Sequence, residues 1–142
     1  MPQGAATIDT KQLALEVADT LQQKLASEVV ILDVSGPLVI ADYFVIATAK
    51  NPRHARALAL EVDALLRTQG RRHRNAAGLE TENPWVLLDF DDVVLHVFTP
   101  EARAFYALES LWADVPRVPF APRALPAATG EGSFPDPSIG TL

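Results

Sequence analysis

The stretch Trp85-Val86-Leu87-Leu88-Asp89-Phe90-Asp91-Asp92-Val93-Val94-Leu95-His96-Val97-Phe98 decides how the chain is read. It is dense in Val, Leu and aromatic residues, as strands are, and is broken once by an acidic cluster that has no place inside a sheet. A two-residue turn at Phe90 and Asp91 makes it a hairpin that opposes Asp89 to Asp92, Leu88 to Val93, Leu87 to Val94, Val86 to Leu95 and Trp85 to His96. Because side chains alternate along a strand, Val86, Leu88, Val93, Leu95 and Val97 then share one aliphatic face suited to a core. The other face carries Trp85, Leu87, Asp89, Asp92, Val94 and His96, and it is the candidate for function.

Working outward toward the N-terminus, Asn51-Pro52 starts a helix by capping and by proline in the first turn, and Gly70 ends it. Ala55, Leu58, Ala59, Val62, Leu65 and Leu66 form its buried stripe. Two strands precede it, at Val29 to Val34 and Asp42 to Ala49, and before them Leu13, Val17, Leu21 and Leu25 mark a helix from Thr7 or Asp9 to Ala26. Between Arg71 and Asn83 the charge suits only a short edge strand. Beyond the hairpin, Thr99-Pro100 starts a last helix, with Phe105, Leu108, Leu111 and Trp112 as its apolar stripe to about Asp114. Helices alternating with strands, plus one hairpin, predict an α/β fold with a mixed sheet flanked by helices. Residues 1–7 read as an N-terminal tail and 8–115 as the domain. Residues 116–142 hold six of the eleven prolines and read as an extended or disordered C-terminal tail.

With 142 residues there is room for one core, and no apolar run is long enough to span a membrane. Cysteine is absent, which excludes disulfides and thiolate chemistry, and a cytoplasmic protein is the default expectation. A net charge of −6 argues against affinity built on phosphate neutralisation, so no direct nucleic-acid binding is expected. The exception is a basic cluster, Arg67, Arg71, Arg72, His73 and Arg74, which reads more readily as the cationic end of a helix than as an RNA-binding patch. Glu80, Glu82, Asp89, Asp91 and Asp92 gather around the hairpin and suit a basic protein partner.

Asp89, Asp91 and Asp92 are the residues a Mg²⁺-dependent nucleotidyl or phosphoryl transferase would use, because paired carboxylates hold the ion. A solvated turn explains them more simply: the chain has no glycine-rich phosphate loop, and neither His54, His73 and His96 nor the few serines fall in a catalytic or zinc spacing. No cofactor, metal or catalytic residue is therefore expected. For His96 the pattern predicts a half-exposed ring stacked on Trp85. Trp112 reads as core, whereas for Trp85 pattern alone leaves burial and partner contact equal.

The spaced motif Trp85-x-x-x-Asp89-x-x-Asp92-Val93-Val94-x-His96-Val97-Phe98, followed by Arg103-x-Phe105-Tyr106-x-Leu108-Glu109-x-Leu111-Trp112-x-Asp114, resembles the ribosomal silencing factor family, RsfS, related to plant Iojap. Asp33-Val34, Asp42-Tyr43-Phe44-Val45-Ile46, Arg53-His54 and Gly78-x-Glu80 add to the resemblance, which covers roughly Leu13 to Pro116. It implies a non-enzymatic translational repressor that binds the large ribosomal subunit through large-subunit protein fourteen and blocks joining of the small subunit when nutrients are scarce. It also implies a nucleotidyltransferase-like fold without the catalytic carboxylate pair, Tyr43 and Phe44 following Asp42 where such enzymes place a second acid, and frequent homodimers. The partner-binding residues expected on this basis are Trp85, Asp89, Asp92, His96, Glu80, Leu87 and Tyr106. Two positions depart from the family pattern: Asp91 and Ala49 stand where glycine is common.

Overall fold

A computed structural model describes residues 9–37 and 41–120. The N-terminal tail, the start of the first helix at Thr7 and residues 121–142 of the C-terminal tail lie outside the described residues. The elements follow in the order α1 (Thr10–Gln23), β1 (Ser27–Asp33), β2 (Tyr43–Thr48), α2 (Pro52–Thr68), β3 (Asn75–Ala77), β4 (Trp85–Asp89), β5 (Val93–Phe98), α3 (Pro100–Tyr106) and α4 (Leu108–Leu111). Five strands form one sheet in the order β1-β2-β5-β4-β3, parallel between β2 and β5 and antiparallel elsewhere. The mixed α/β architecture is the one the sequence predicts, with the short charged strand β3 at an edge. No helix among the described residues is long and apolar enough to cross a membrane.

Local chemistry sets the helix starts. Asp9, Asn51 and Thr99 each cap an N-terminus, their side chains accepting from the amides of Gln12, His54 and Ala102, and proline opens α2 and α3. Helices α1 and α2 then bury Leu13, Val17, Leu21, Leu58, Val62 and Leu66 against the aliphatic sheet face of Val45, Val86, Leu88, Val93, Leu95 and Val97. On the opposite face, α3, α4 and the segment after them cover Leu32, Phe44, Ile46 and Phe98 with Ala102, Leu108, Trp112 and Val115. This cover stops short of β4, where Trp85, Leu87 and Asp89 stay half-buried.

The hairpin register differs from expectation by two residues. The observed pairs are Trp85 with Phe98, Val86 with Val97, Leu87 with His96, Leu88 with Leu95 and Asp89 with Val94. Phe90 behaves as a strand residue: its amide donates to the Val93 carbonyl (2.9 Å) and its ring is only 3% exposed in the main core. The turn therefore falls on Asp91 and Asp92. Asp91 takes a left-handed conformation (φ 78°), the kind that glycine adopts most easily, and the Asp89 carboxylate accepts its amide at 2.8 Å. A shift of two residues leaves every side chain on its face, so the aliphatic and mixed faces survive the change. The opposition of Asp89 to Asp92 does not. The Ala49 methyl is buried, and its amide donates to the Phe98 carbonyl at 2.7 Å.

The last helix is also not continuous. Ala107 adopts φ 46°, ending α3 and redirecting α4, so Phe105 and Leu111 are 80% and 77% exposed instead of lining a buried stripe. The cause is Arg103. In an unbroken helix residues six apart point about 240° from one another, yet here the buried Arg103 guanidinium grips the Glu109 carboxylate at 2.6 and 3.0 Å. After α4 the chain returns to the sheet edge. The Pro116 carbonyl accepts from the Asp33 amide, Val118 donates to the Ile31 carbonyl, and Val118 and Phe120 pack on the core, so the first five proline-rich residues are extended and docked.

Candidate functional site

The half-open end of the mixed face is built by β4, β5 and α3. Trp85 starts β4, and its ring centroid lies 4.7 Å from Tyr106, 4.9 Å from Phe98 and 5.9 Å from His96. Phe105 meets Tyr106 edge-on at 5.0 Å. With Phe105 80% and Tyr106 47% exposed, an aromatic cluster rises from the core to the surface. Beside it an open cleft of about 700 Å³ is lined by Lys50, Pro52, Pro84, Glu101, Phe105 and Tyr106, among others. The strand and helix ends meet here because the Thr99 amide donates to the Pro84 carbonyl (2.9 Å), fixing the start of α3 beside the start of β4.

Three of the sequence-predicted residues, Trp85, His96 and Tyr106, come together in this cluster, and Leu87 adjoins it as the cross-strand neighbour of His96. Glu80 is exposed on the loop between β3 and β4, which is pinned to α2 by a 2.7 Å bond from Arg56 to the Leu79 carbonyl. Asp89 and Asp92 sit elsewhere, at the turn end of the hairpin. Asp89 is four residues along β4 from Trp85, roughly 13 Å at strand rise.

The hairpin acids are also engaged within the fold. Asp92 pairs with Arg71 and accepts from the Thr10 hydroxyl (3.1 Å), while its carbonyl accepts the amides of Asp42 and Tyr43. Asp91 pairs with Arg74. The basic residues after α2 and the acidic hairpin turn thus lie against one another: Arg71–Asp92 is a half-buried pair, and Arg74–Asp91 is an exposed one. Nor do these carboxylates converge: no group of three His, Asp or Glu that could hold a metal ion occurs among the described residues. His54 and His73 serve packing, His54 between the Lys50 amide and the Lys24 carbonyl and His73 on Asp63.

His96 departs most from expectation. It is 4% exposed instead of half-exposed, with Phe44 edge-on at 4.9 Å and Phe98 nearly parallel at 6.3 Å. Its Nδ1 accepts the Trp85 indole N–H at 3.2 Å. Burial pushes its pKa down from 6.5 to about 4. The unfolded chain therefore takes up a proton near pH 6.5 that the folded chain refuses until about pH 4, so stability is full above the first value and lost toward the second. Urea melts between those pH values should show a loss of about 3 kcal/mol from this group, and His96→Phe should remove that part of the slope.

Periodicity places Phe105 on an apolar stripe, and the break at Ala107, which no glycine or proline announces, leaves it exposed. The flanking Lys50, Pro84 and Glu101 carry no sequence pattern that points to a site.

A family model described as "Ribosomal silencing factor during starvation" matches residues 7–137. A protein named ribosomal silencing factor RsfS, from Halalkalibacterium halodurans, is 39% identical over 107 residues, which span 75% of this chain and 88% of that one. A Mus musculus protein named mitochondrial assembly of ribosomal large subunit protein 1 is 28% identical over 95 residues, spanning 65% of this chain and 41% of that one. Among solved structures, a crystal structure of a Chromobacterium violaceum protein superposes with a TM-score of 0.71 at 24% identity, covering 87% of this chain and 98% of that one, a likeness of fold.

Proposed function

Because the chain belongs to the ribosomal silencing factor family, we propose that it is a cytoplasmic translational repressor that binds the large ribosomal subunit and sterically blocks joining of the small one, without catalysis. The observation that carries this reading is the aromatic cluster in which exposed Phe105 and Tyr106 stand beside half-buried Trp85, on a sheet face that the fold leaves half-covered. Large aromatic side chains standing proud of a core are the anchors of protein interfaces, since burying them on a partner releases much apolar area. The partner in this reading is large-subunit protein fourteen. Exposed Glu80, Glu82 and Glu101 near the cluster, with a net charge of −6, steer it toward a basic surface. The name of the murine relative, which refers to the large subunit, supports the choice of subunit.

Phe105→Asp and Tyr106→Ala are the probes of choice, because both residues are exposed, whereas Trp85→Ala also strips contacts from Phe98 and His96. Co-sedimentation with purified large subunits should weaken by at least about 2 kcal/mol for Phe105→Asp if the cluster is a hot spot. Phe105→Asp should keep the wild-type melting temperature, whereas Tyr106→Ala also removes ring contacts with Trp85 and Phe98 and should lower it slightly. Pelleting of both variants at wild-type affinity would falsify the site assignment. Sedimentation of the free protein reports whether a homodimer forms.

A further inference from the structure

The chemistry of His96 does not suit the place it occupies. Its neighbours Phe44, Phe98 and Trp85 are aromatic, and a phenylalanine would fill that space without any polar atom to satisfy. The imidazole brings two nitrogens into this cluster. Nδ1 accepts the indole N–H of Trp85, which requires a lone pair there and places the proton of the neutral ring on Nε2. That Nε2 is buried and has no hydrogen-bond partner among the described residues. A buried donor left without a partner is destabilising, so histidine at this position weakens the fold relative to an apolar ring.

What it supplies in return is an acceptor for Trp85. An indole at a half-buried position can turn its N–H inward or outward, and a partner-binding surface gains affinity when such a choice is made before the encounter. The N–H is the only polar atom of the side chain. Once it is given to His96, every part of Trp85 that remains accessible is hydrocarbon. We infer that His96 is a positioning residue for docking: its imidazole holds the Trp85 indole with the N–H turned into the sheet, so that the partner meets Trp85 through an apolar or cationic side chain and not through a carbonyl acceptor. This rests on the docking role proposed above for the cluster around Trp85.

The pairing and its consequence are separable by experiment. Amide and indole spectra of the labelled full chain contain two indole N–H signals, from Trp85 and Trp112, which Trp112→Phe assigns. In the unaltered protein the Trp85 signal should be protected from solvent exchange. In His96→Phe it should lose that protection, while thermal stability at neutral pH stays the same or rises. Affinity for purified large subunits should fall about tenfold, the scale of one side chain that must now be ordered on binding. His96→Asn, whose carboxamide oxygen reaches toward the place of Nδ1, should recover both protection and affinity.

Rapid exchange of the Trp85 N–H in the unaltered protein overturns the inference. So does wild-type affinity of His96→Phe, a drop in its thermal stability, or failure of His96→Asn to rescue. If the unaltered chain itself does not sediment with large subunits, the docking role falls and this inference with it. If it sediments and His96→Phe does so equally well, the inference alone fails.

Discussion

Replacing Arg103 by leucine is expected to remove 3 kcal/mol or more of folding stability, on the order of the 3–5 kcal/mol that follows breaking one side of a buried ion pair. The Arg103 guanidinium is buried and satisfies four contacts at once. Nη1 donates to the Glu28 carbonyl (2.7 Å) and the Thr48 hydroxyl (2.9 Å), while Nε and Nη2 donate to Glu109 (3.0 and 2.6 Å). Burial pushes the Glu109 carboxyl up, but the hydrogen bond from Arg103, its own backbone amide and the charges of Arg103 and Arg117 outweigh this and hold it below its usual value. Without Arg103 the Glu109 carboxylate and the Glu28 carbonyl lose their side-chain donor, and the buried Thr48 hydroxyl keeps only its 3.4 Å bond to the Glu28 carboxylate. A lysine keeps the charge but not the planar fork, so Arg103→Lys should recover only part of the loss. Urea melts at neutral pH measure both. Because α3 carries Phe105 and Tyr106, the docking proposed for this cluster should weaken in parallel. An Arg103→Leu protein as stable as wild type would show that α4 and β1 are held by other contacts.

Gly78→Val should cost about 2–5 kcal/mol, for two reasons that can be separated. Gly78 sits at φ 86°, where a residue with a side chain pays about 1–2 kcal/mol, and a Cβ placed there lies 2.5 Å from the Trp85 carbonyl oxygen and 3.3 Å from the Val86 Cα. These are backbone atoms of β4, which cannot yield without moving the strand, and overpacking of that kind adds about 1–3 kcal/mol. Gly70 provides the control. Its φ is 77°, yet a Cβ there meets nothing within 4 Å, so Gly70→Ala should carry the conformational term alone. Denaturant melts of the two variants, with the near-ultraviolet tryptophan signal as a reporter on Trp85, test the difference. Equal losses would mean that β4 moves freely at its start.

Where the chain's own residues act on their neighbours, reading them in order was enough. Caps at Asp9, Asn51 and Thr99, prolines at the first turns of α2 and α3, and the fourth-residue stripes of α1 and α2 are local, and they place those elements within a few residues. Alternation along Trp85–Phe98 separated the aliphatic face from the mixed one, and because the true register differs by an even number of residues, the faces came out right although the opposing pairs did not. The spaced motif from Trp85 to Asp114 likewise carried the family.

Tertiary structure alone decided what depends on partners distant in sequence. Phe90 joins the core and moves the turn because α2 and the sheet leave a place for its ring. Arg71 and Arg74 pair with Asp92 and Asp91 across 21 and 17 residues, which brings the basic stretch after α2 against the acidic turn of the hairpin. Arg103 ties α4 to α3 through Glu109, and Phe105 stays in solvent beside Tyr106. His96 becomes a buried, neutral acceptor for Trp85 only when Phe44 and Phe98 close around it. Periodicity records which side of an element a residue occupies; whether that side is covered, and by what charge, depends on contacts between elements that no local pattern encodes.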